Sequence, residues 1–323
     1  MEKFEMRAIA ITKYVLGLLL VGALAVGGYA TYVKLPTGTD IELSKAPKER
    51  LRELLAIVDS NSATINNNIY VSSTYQPDNP LYEAVVEIQR KNWSKAVKLL
   101  TPMAMQGNAE AMYWLGEITY STSAFSDGGK WFLQSASLGN PYAAIKLSPQ
   151  YNISNDCQLW LRNYCDNRWG KEGLEKLKNL ASNGDIKARY AYLFYTRFEN
   201  TGSDFFNQLV KVAKEGVDNH YYRPLRQLIH MYQTRKSLNP YSNDVIPLTE
   251  EDQQQLIKLL MVAANNNDVF SIHILDNYFS KDLVPQTSIN EAIERVTTNR
   301  ESTPIIFIDE VEGAREYHDG SVL

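Results

Sequence analysis

Five times along the chain a large apolar residue, a looser position that is apolar or small, and an alanine recur at fixed distances before a Gly or Asn. The large residues are Leu100, Phe132, Leu177, Leu209 and Leu260, each seven positions before Gly107, Gly139, Gly184, Gly216 and Asn267. Three positions before the same residues stand Ala104, Ala136, Ala181, Ala213 and Ala264, and four before stand Met103, Ser135, Leu180, Val212 and Ala263. Offsets of three, four and seven share one face of a helix. Each copy therefore predicts a helix whose apolar stripe runs up to a left-handed residue that ends it. Alanine at one fixed position predicts a close approach of another helix there, since interaxial distance follows the size of the contacting side chains.

A second helix is predicted after each of these turns. Ala111, Ala143 and Ala188 share the position four beyond the turn residue, and Leu115, Leu147, Tyr192 and Leu275 share the position eight beyond it. The turn residues lie 32, 45, 32 and 51 positions apart. The short intervals fit one helical hairpin each, and the long ones carry insertions near 150–168 and 234–250. Hairpins of this kind cannot bury their apolar faces alone, so an all-α fold of stacked pairs is expected. Pro80 to Gln89 begins an additional, degenerate hairpin, and Ser288 to Asn299 reads as a capping helix. The β-favouring run Pro304-Ile-Ile-Phe-Ile308 has no place in this scheme.

The segment Ala-Met-Gln-Gly-Asn-Ala-Glu-Ala-Met-Tyr-Trp-Leu-Gly-Glu-Ile-Thr-Tyr (104–120) and its continuation Gly-Lys-Trp-Phe-Leu-Gln-Ser-Ala-Ser-Leu-Gly-Asn-Pro-Tyr-Ala (129–143) resemble the Sel1-like repeats, relatives of the tetratricopeptide repeats. The resemblance covers 80–280, is strongest over 93–147 and drifts beyond residue 200. There His220 and Ser271 replace the alanine after the turn, and Pro224 stands where a helical residue is expected. It implies a right-handed α-solenoid of helix-turn-helix repeats with a concave groove.

Ahead of the repeats lie 20 consecutive uncharged residues, Tyr14 to Val33, bounded by Lys13 and Lys34. A helix of that length spans roughly 30 Å, the hydrocarbon thickness of a bilayer. Lys3, Arg7 and Lys13 before it predict a cytoplasmic N-terminus and export of everything beyond Lys34. A signal peptide cleaved near Gly28-Tyr29-Ala30 is the competing reading, and a buried soluble helix is a third. The expected organisation is a cytoplasmic N-terminus (1–13), a transmembrane helix (14–33), a linker with a leading helix (34–79), the repeats (80–280), a capping helix (281–300) and an acidic tail (301–323).

Cysteine usage bears on the same question. Cys157 and Cys165 are the chain's two cysteines, both in the first insertion. An oxidising compartment would let them pair, which needs a turn between them, and two unpaired thiols are the alternative. They leave too few ligands for a zinc site at the usual spacing.

Charge and composition narrow the function. The formal net charge is −4, against the basic surplus of a nucleic-acid binder. The tail from Glu301 holds six acids against Arg315, and reads either as a solvated end or as an arm for a basic partner. No phosphate loop, nucleophile elbow, dinucleotide fingerprint or zinc-protease motif occurs, and His220, His230, His273 and His318 are scattered. Glu250-Glu251-Asp252 reads as the acidic first turn of a helix opened by Thr249 rather than as a catalytic pair. The expectation is a non-catalytic protein with no cofactor and no metal.

Tyr190, Tyr192, Tyr195, Tyr221, Tyr222 and Tyr232 crowd the third and fourth repeats among Arg189, Arg197, Arg223 and Arg226. That mixture is the composition of interface hot spots, and equally of a Tyr-rich core beneath solvated arginines. Arg189, Tyr192, Tyr222 and Arg223 are the expected partner contacts. An export segment followed by Sel1-like repeats is similar in layout to periplasmic immunity proteins that neutralise type VI secretion phospholipase effectors. That likeness implies a bacterial inner-membrane protein with its bulk in the periplasm, binding a secreted toxin. The alternative is a periplasmic scaffold or regulator of an envelope enzyme or sensor kinase.

Overall fold

The computed structural model describes residues 75–151, 156–197, 203–233, 249–266, 268–278 and 281–287, together with 290, 291, 294 and 311. These residues form helices and turns, with no strand among them. The chain starts with α1 (Tyr82–Gln89), α2 (Trp93–Met105), α3 (Ala109–Ser121), α4 (Phe125–Ser137) and α5 (Pro141–Lys146). A short α6 (Asp156–Leu159) lies in the first insertion, followed by α7 (Asn167–Ser182) and α8 (Ile186–Tyr195). Then come α9 (Ser203–Asp218), α10 (Arg223–Gln233), α11 (Glu250–Asn265) and α12 (Val269–Tyr278). Helices adjacent in sequence pack on one another throughout, except that α5 packs directly on α7 across the first insertion. The hairpin expected from Pro80 is present as α1 against α2.

One turn device joins the helices. Gly107, Gly139 and Gly184 adopt φ of 87°, 96° and 95°. At each, the glycine N–H reaches the carbonyl of the alanine three before, as in Gly139 to Ala136 at 2.8 Å. The next N–H reaches the carbonyl four before the glycine, as in Asn140 to Ser135 at 3.0 Å. This pair of bonds satisfies carbonyls that the ending helix would otherwise leave open. The residue after the glycine then caps the next helix. Asn108, Asn140 and Asp185 accept from the N–H groups of Ala111, Ala143 and Ala188 at 2.9, 2.9 and 2.8 Å.

The fourth copy departs from the expected register. Gly216 lies inside α9, and the left-handed residue is His220, with φ of 56°. His220 and Tyr221 make the same two bonds, to the carbonyls of Val217 and Gly216 at 3.1 and 2.7 Å. The helix runs one turn further than the sequence suggests, and a four-residue shift keeps Leu209 and Ala213 on the buried face. Gly216 is small for another reason: a Cβ there would lie 2.5 Å from the Tyr221 carbonyl oxygen. Pro224 sits at the second residue of α10, where a helix has no use for the missing N–H. The turn residue expected at Asn267 lies outside the described residues, but Asp268 beyond it does cap, accepting from Ser271 N at 3.1 Å.

The core follows the stripe. Leu100, Phe132, Leu177, Leu209 and Leu260 are all fully buried, which stabilises each site by about 1.5–3 kcal/mol relative to exposure. Ala104, Ala136, Ala213 and Ala264 are buried as well, whereas Ala181 is half-exposed and Leu180 beside it is exposed. The close approach expected at Ala181 is therefore absent on this side of α7. Charged groups also enter the interior in pairs. Lys146 Nζ meets Glu117 Oε1 at 2.9 Å over the Tyr120 ring, and Arg226 Nη1 meets Asp268 Oδ1 at 3.1 Å.

Residues 1–74, with the expected transmembrane helix 14–33, lie outside the described residues. Among the described residues no helix is long and apolar enough to cross a membrane. The capping segment 281–300 is described in part, with Val284 buried. Of the acidic tail only Val311 is described, and it too is buried.

Candidate functional site

Of the four expected partner contacts, Arg189 and Tyr192 lie on α8, Arg223 opens α10 and Tyr222 immediately precedes it. Arg189 works inward: its Nη1 pairs with Glu215 of α9, and its Nη2 donates to the Ala181 carbonyl at 3.2 Å. It thereby ties α8 to the helices on both sides. Tyr192 is half-buried against the core. Arg223 is half-buried.

Tyr222 is fully buried and cannot present itself to a partner in this structure. Its hydroxyl lies 3.0 Å from His220 Nδ1, and burial, with Asp268 nearby, raises its pKa far above the ordinary phenol value. Burial likewise lowers the pKa of His220. The Tyr190 and Tyr221 rings meet at 6.1 Å, so the tyrosine cluster joins the third and fourth hairpins as packing. The tyrosine-rich segment is largely core, and two of its arginines, Arg189 and Arg226, join neighbouring elements.

The exposed apolar surface lies elsewhere. Cys157 and Cys165 form a disulfide, with their Cα atoms 5.7 Å apart. The chain turns between them after α6: the N–H groups of Trp160 and Leu161 both reach the Asp156 carbonyl at 2.8 Å. The closed loop lies on α4. Leu161 is buried, the Trp160 ring stacks on Phe125 at 4.4 Å, and the Tyr164 hydroxyl lies 3.2 Å from Ser126 Oγ. Gly129 makes room for the loop, since a Cβ there would lie 2.3 Å from the Tyr164 ring. On this fixed base Leu159 stays 54% exposed and Trp160 46% exposed. A cross-linked loop thus holds two apolar side chains partly in water.

A second exposed apolar set follows the turns: Met105, Leu138 and Leu180 stand within four residues before Gly107, Gly139 and Gly184. Sequence reasoning passed over Leu159 and Trp160. The available signal was a Trp between two cysteines, in a segment that matches no repeat position.

Nothing in the described residues gathers a metal: no group of three or more His, Cys, Asp or Glu side chains is placed to bind one. Compared with models of protein families, with curated proteins and with solved structures, the chain matches none.

Proposed function

We propose that this chain is a protein-binding array, a right-handed solenoid of Sel1-like repeats, that acts in a bacterial periplasm. The observation that carries the binding reading is the disulfide-closed loop with Leu159 and Trp160 exposed. A soluble surface gains nothing in stability from leaving a tryptophan half in water, whereas an interface gains a rigid anchor with few rotamers to lose. The disulfide supports export, because such bonds persist mainly in oxidising compartments. Export also agrees with the uncharged run Tyr14 to Val33, read as an inner-membrane anchor.

Within that reading the partner is a secreted antibacterial toxin of the phospholipase class, which the chain binds and neutralises. The support is likeness of layout, an export segment followed by helical repeats, and tethering at the membrane that holds the toxin's substrate raises local concentration. The test is co-expression with a phospholipase toxin encoded beside this chain's own gene and directed to the periplasm. Survival that depends on this chain supports neutralisation; killing that proceeds unchanged overturns it. Trp160→Ala separates binding from folding. It is expected to weaken the complex by about 2 kcal/mol, roughly thirty-fold in Kd, while the helix content holds and the loss of the Phe125 stack lowers the melting temperature only modestly. Unchanged affinity would move the contact off this loop.

A further inference from the structure

The second helix of the second hairpin stops early: α5 has 6 residues, where α3 has 13 and α8 has 10. The Cys157–Cys165 loop lands on its cut end. The Leu147 carbonyl, one residue past the helix, accepts from Asp166 N at 3.1 Å, and Cys157 Sγ lies 3.7 Å from the Lys146 carbonyl oxygen. Carbonyls that a helix end leaves open are thus covered from both cysteine-bearing ends of the loop. The Lys146 side chain adds a charge contact. Its Nζ lies 2.9 Å from Glu117 Oε1 on α3 and 4.0 Å from Asp156 Oδ2, on the residue before Cys157. It also stands over the Tyr120 and Phe132 rings at 5.2 and 5.5 Å, so the ammonium sits among α3, α4 and the loop. The side chains of Lys146, Glu117 and Asp156 are 16%, 2% and 1% exposed, and charges so withdrawn from water act on each other more strongly than at a surface. Asp156 has a second part in the loop: its carbonyl accepts the N–H groups of Trp160 and Leu161. The residue that meets Lys146 with its side chain therefore holds, with its main chain, the turn that carries Trp160.

We propose that Lys146 is a positioning residue for the Trp160 surface. Through Asp156 it fixes where the loop leaves the array, and so how Leu159 and Trp160 stand against α4. The disulfide closes the loop on itself, whereas Lys146 orients the closed loop on α3 and α5. The consequence for partner affinity rests on the reading of this loop as the binding surface; the positioning itself does not.

The first arm of the experiment needs no partner. Hydrogen exchange and the indole N–H resonance of Trp160, identified by its loss in Trp160→Phe, are measured on full-length wild type, Asp156→Asn and Lys146→Met. Asp156→Asn keeps the side-chain shape and the Glu117–Lys146 pair and removes only the loop's charge. The Trp160 and Leu161 amides should then exchange at least about ten-fold faster, as expected when one side of a buried pair is removed. The Trp160 resonance should move, and exchange in α9 to α12 should stay as in the wild type. Lys146→Met should free the same loop amides and also raise exchange in α3 and α5. Unchanged loop amides with an unmoved Trp160 resonance in Asp156→Asn overturn the proposal. Faster exchange across the whole array without preference for the loop overturns it too, since Lys146 would then serve only the stability of the core. If Asp156→Asn does not fold, Lys146→Met decides through the same amides. Titration with the toxin of the co-expression test separates the two readings: a moved loop with unchanged affinity upholds the positioning and removes the loop from the interface.

Discussion

Replacing Asp268 with alanine should loosen the last hairpin selectively. Asp268 is fully buried and makes three bonds: Oδ1 accepts from Arg226 Nη1 at 3.1 Å, and Oδ2 accepts from Ser271 N at 3.1 Å and Ser271 Oγ at 2.5 Å. Through them it joins α10 to the start of α12. The Arg226 side chain is only 7% exposed, so losing the carboxylate removes a charge partner from a desolvated cation. Breaking such a pair from one side costs about 3–5 kcal/mol, and losing the cap adds about 1 kcal/mol. Asp268→Asn keeps an oxygen for the Ser271 N–H and should cost about 1 kcal/mol less. The assay is hydrogen exchange resolved by helix, with urea unfolding as the global measure. Exchange in α11 and α12 should rise far more than in α2 to α5, because the bonds of Asp268 reach α10 and α12 and no residue of α2 to α5. Equal protection of α11 and α12 in Asp268→Ala and wild type would refute the claim that this buried pair joins the hairpins.

The turns and seams offer further checks. Gly184→Ala meets no atom within 4 Å, so only its left-handed backbone resists the change, and thermal unfolding should report a loss of about 1–2 kcal/mol. Gly116→Ala places its Cβ 2.6 Å from the Phe132 ring in a full core, and unfolding should show the 1–3 kcal/mol of overpacking instead. Ala104→Leu should destabilise the array by about 1–3 kcal/mol, whereas Ala181→Leu, half-exposed, should be nearly neutral in the same assay. For Glu87, burial pushes the carboxyl pKa up, but Lys95, Asn92 and Arg90 outweigh it and hold the value below the ordinary range. The unfolded chain then binds the proton more readily, so this stabilisation is complete above the ordinary carboxylate pKa and drains as pH falls through the depressed one. A stability–pH profile of Glu87→Gln should be flatter than the wild type on the acid side; an identical slope would refute this.

The helical stripe was legible because burial repeats a period. Leu100 through Leu260 needed only their spacing to be assigned to the interior, and Gly107, Gly139 and Gly184 announced their turns through the one residue type that adopts positive φ at little cost. Lys91, Ser123 and His220 adopt the same conformation without being glycine, with φ of 59°, 66° and 56°. Nothing in their type marks it, so the turn after α9 was placed four residues early. A helix face cannot correct that error, because a shift of four returns nearly the same residues to the core. Only the backbone angle distinguishes the two registers.

The site was less legible than the fold, for a related physical reason. A tyrosine or arginine is amphipathic, and its composition says nothing about which end meets water. Tyr222 has the residue type of a hot spot, yet the left-handed turn at His220 folds it inward, and Arg189 is drawn to Glu215 on the next helix. Exposure is decided by which elements happen to cover a face, a property of the array rather than of any segment. Trp160 illustrates the converse: the disulfide and the small Gly129 fix its loop on α4, and among the described residues its ring is covered on the Phe125 side but stays 46% exposed. A residue outside the repeat period, in a segment under covalent constraint, is therefore a better guide to exposed apolar surface here than residue type within the period. Reduction of the Cys157–Cys165 bond tests that directly. If the constraint is what presents Trp160, reduction should weaken partner binding while the helix content of the array is unchanged, and equal affinity in both redox states would leave Trp160 as an ordinary exposed side chain.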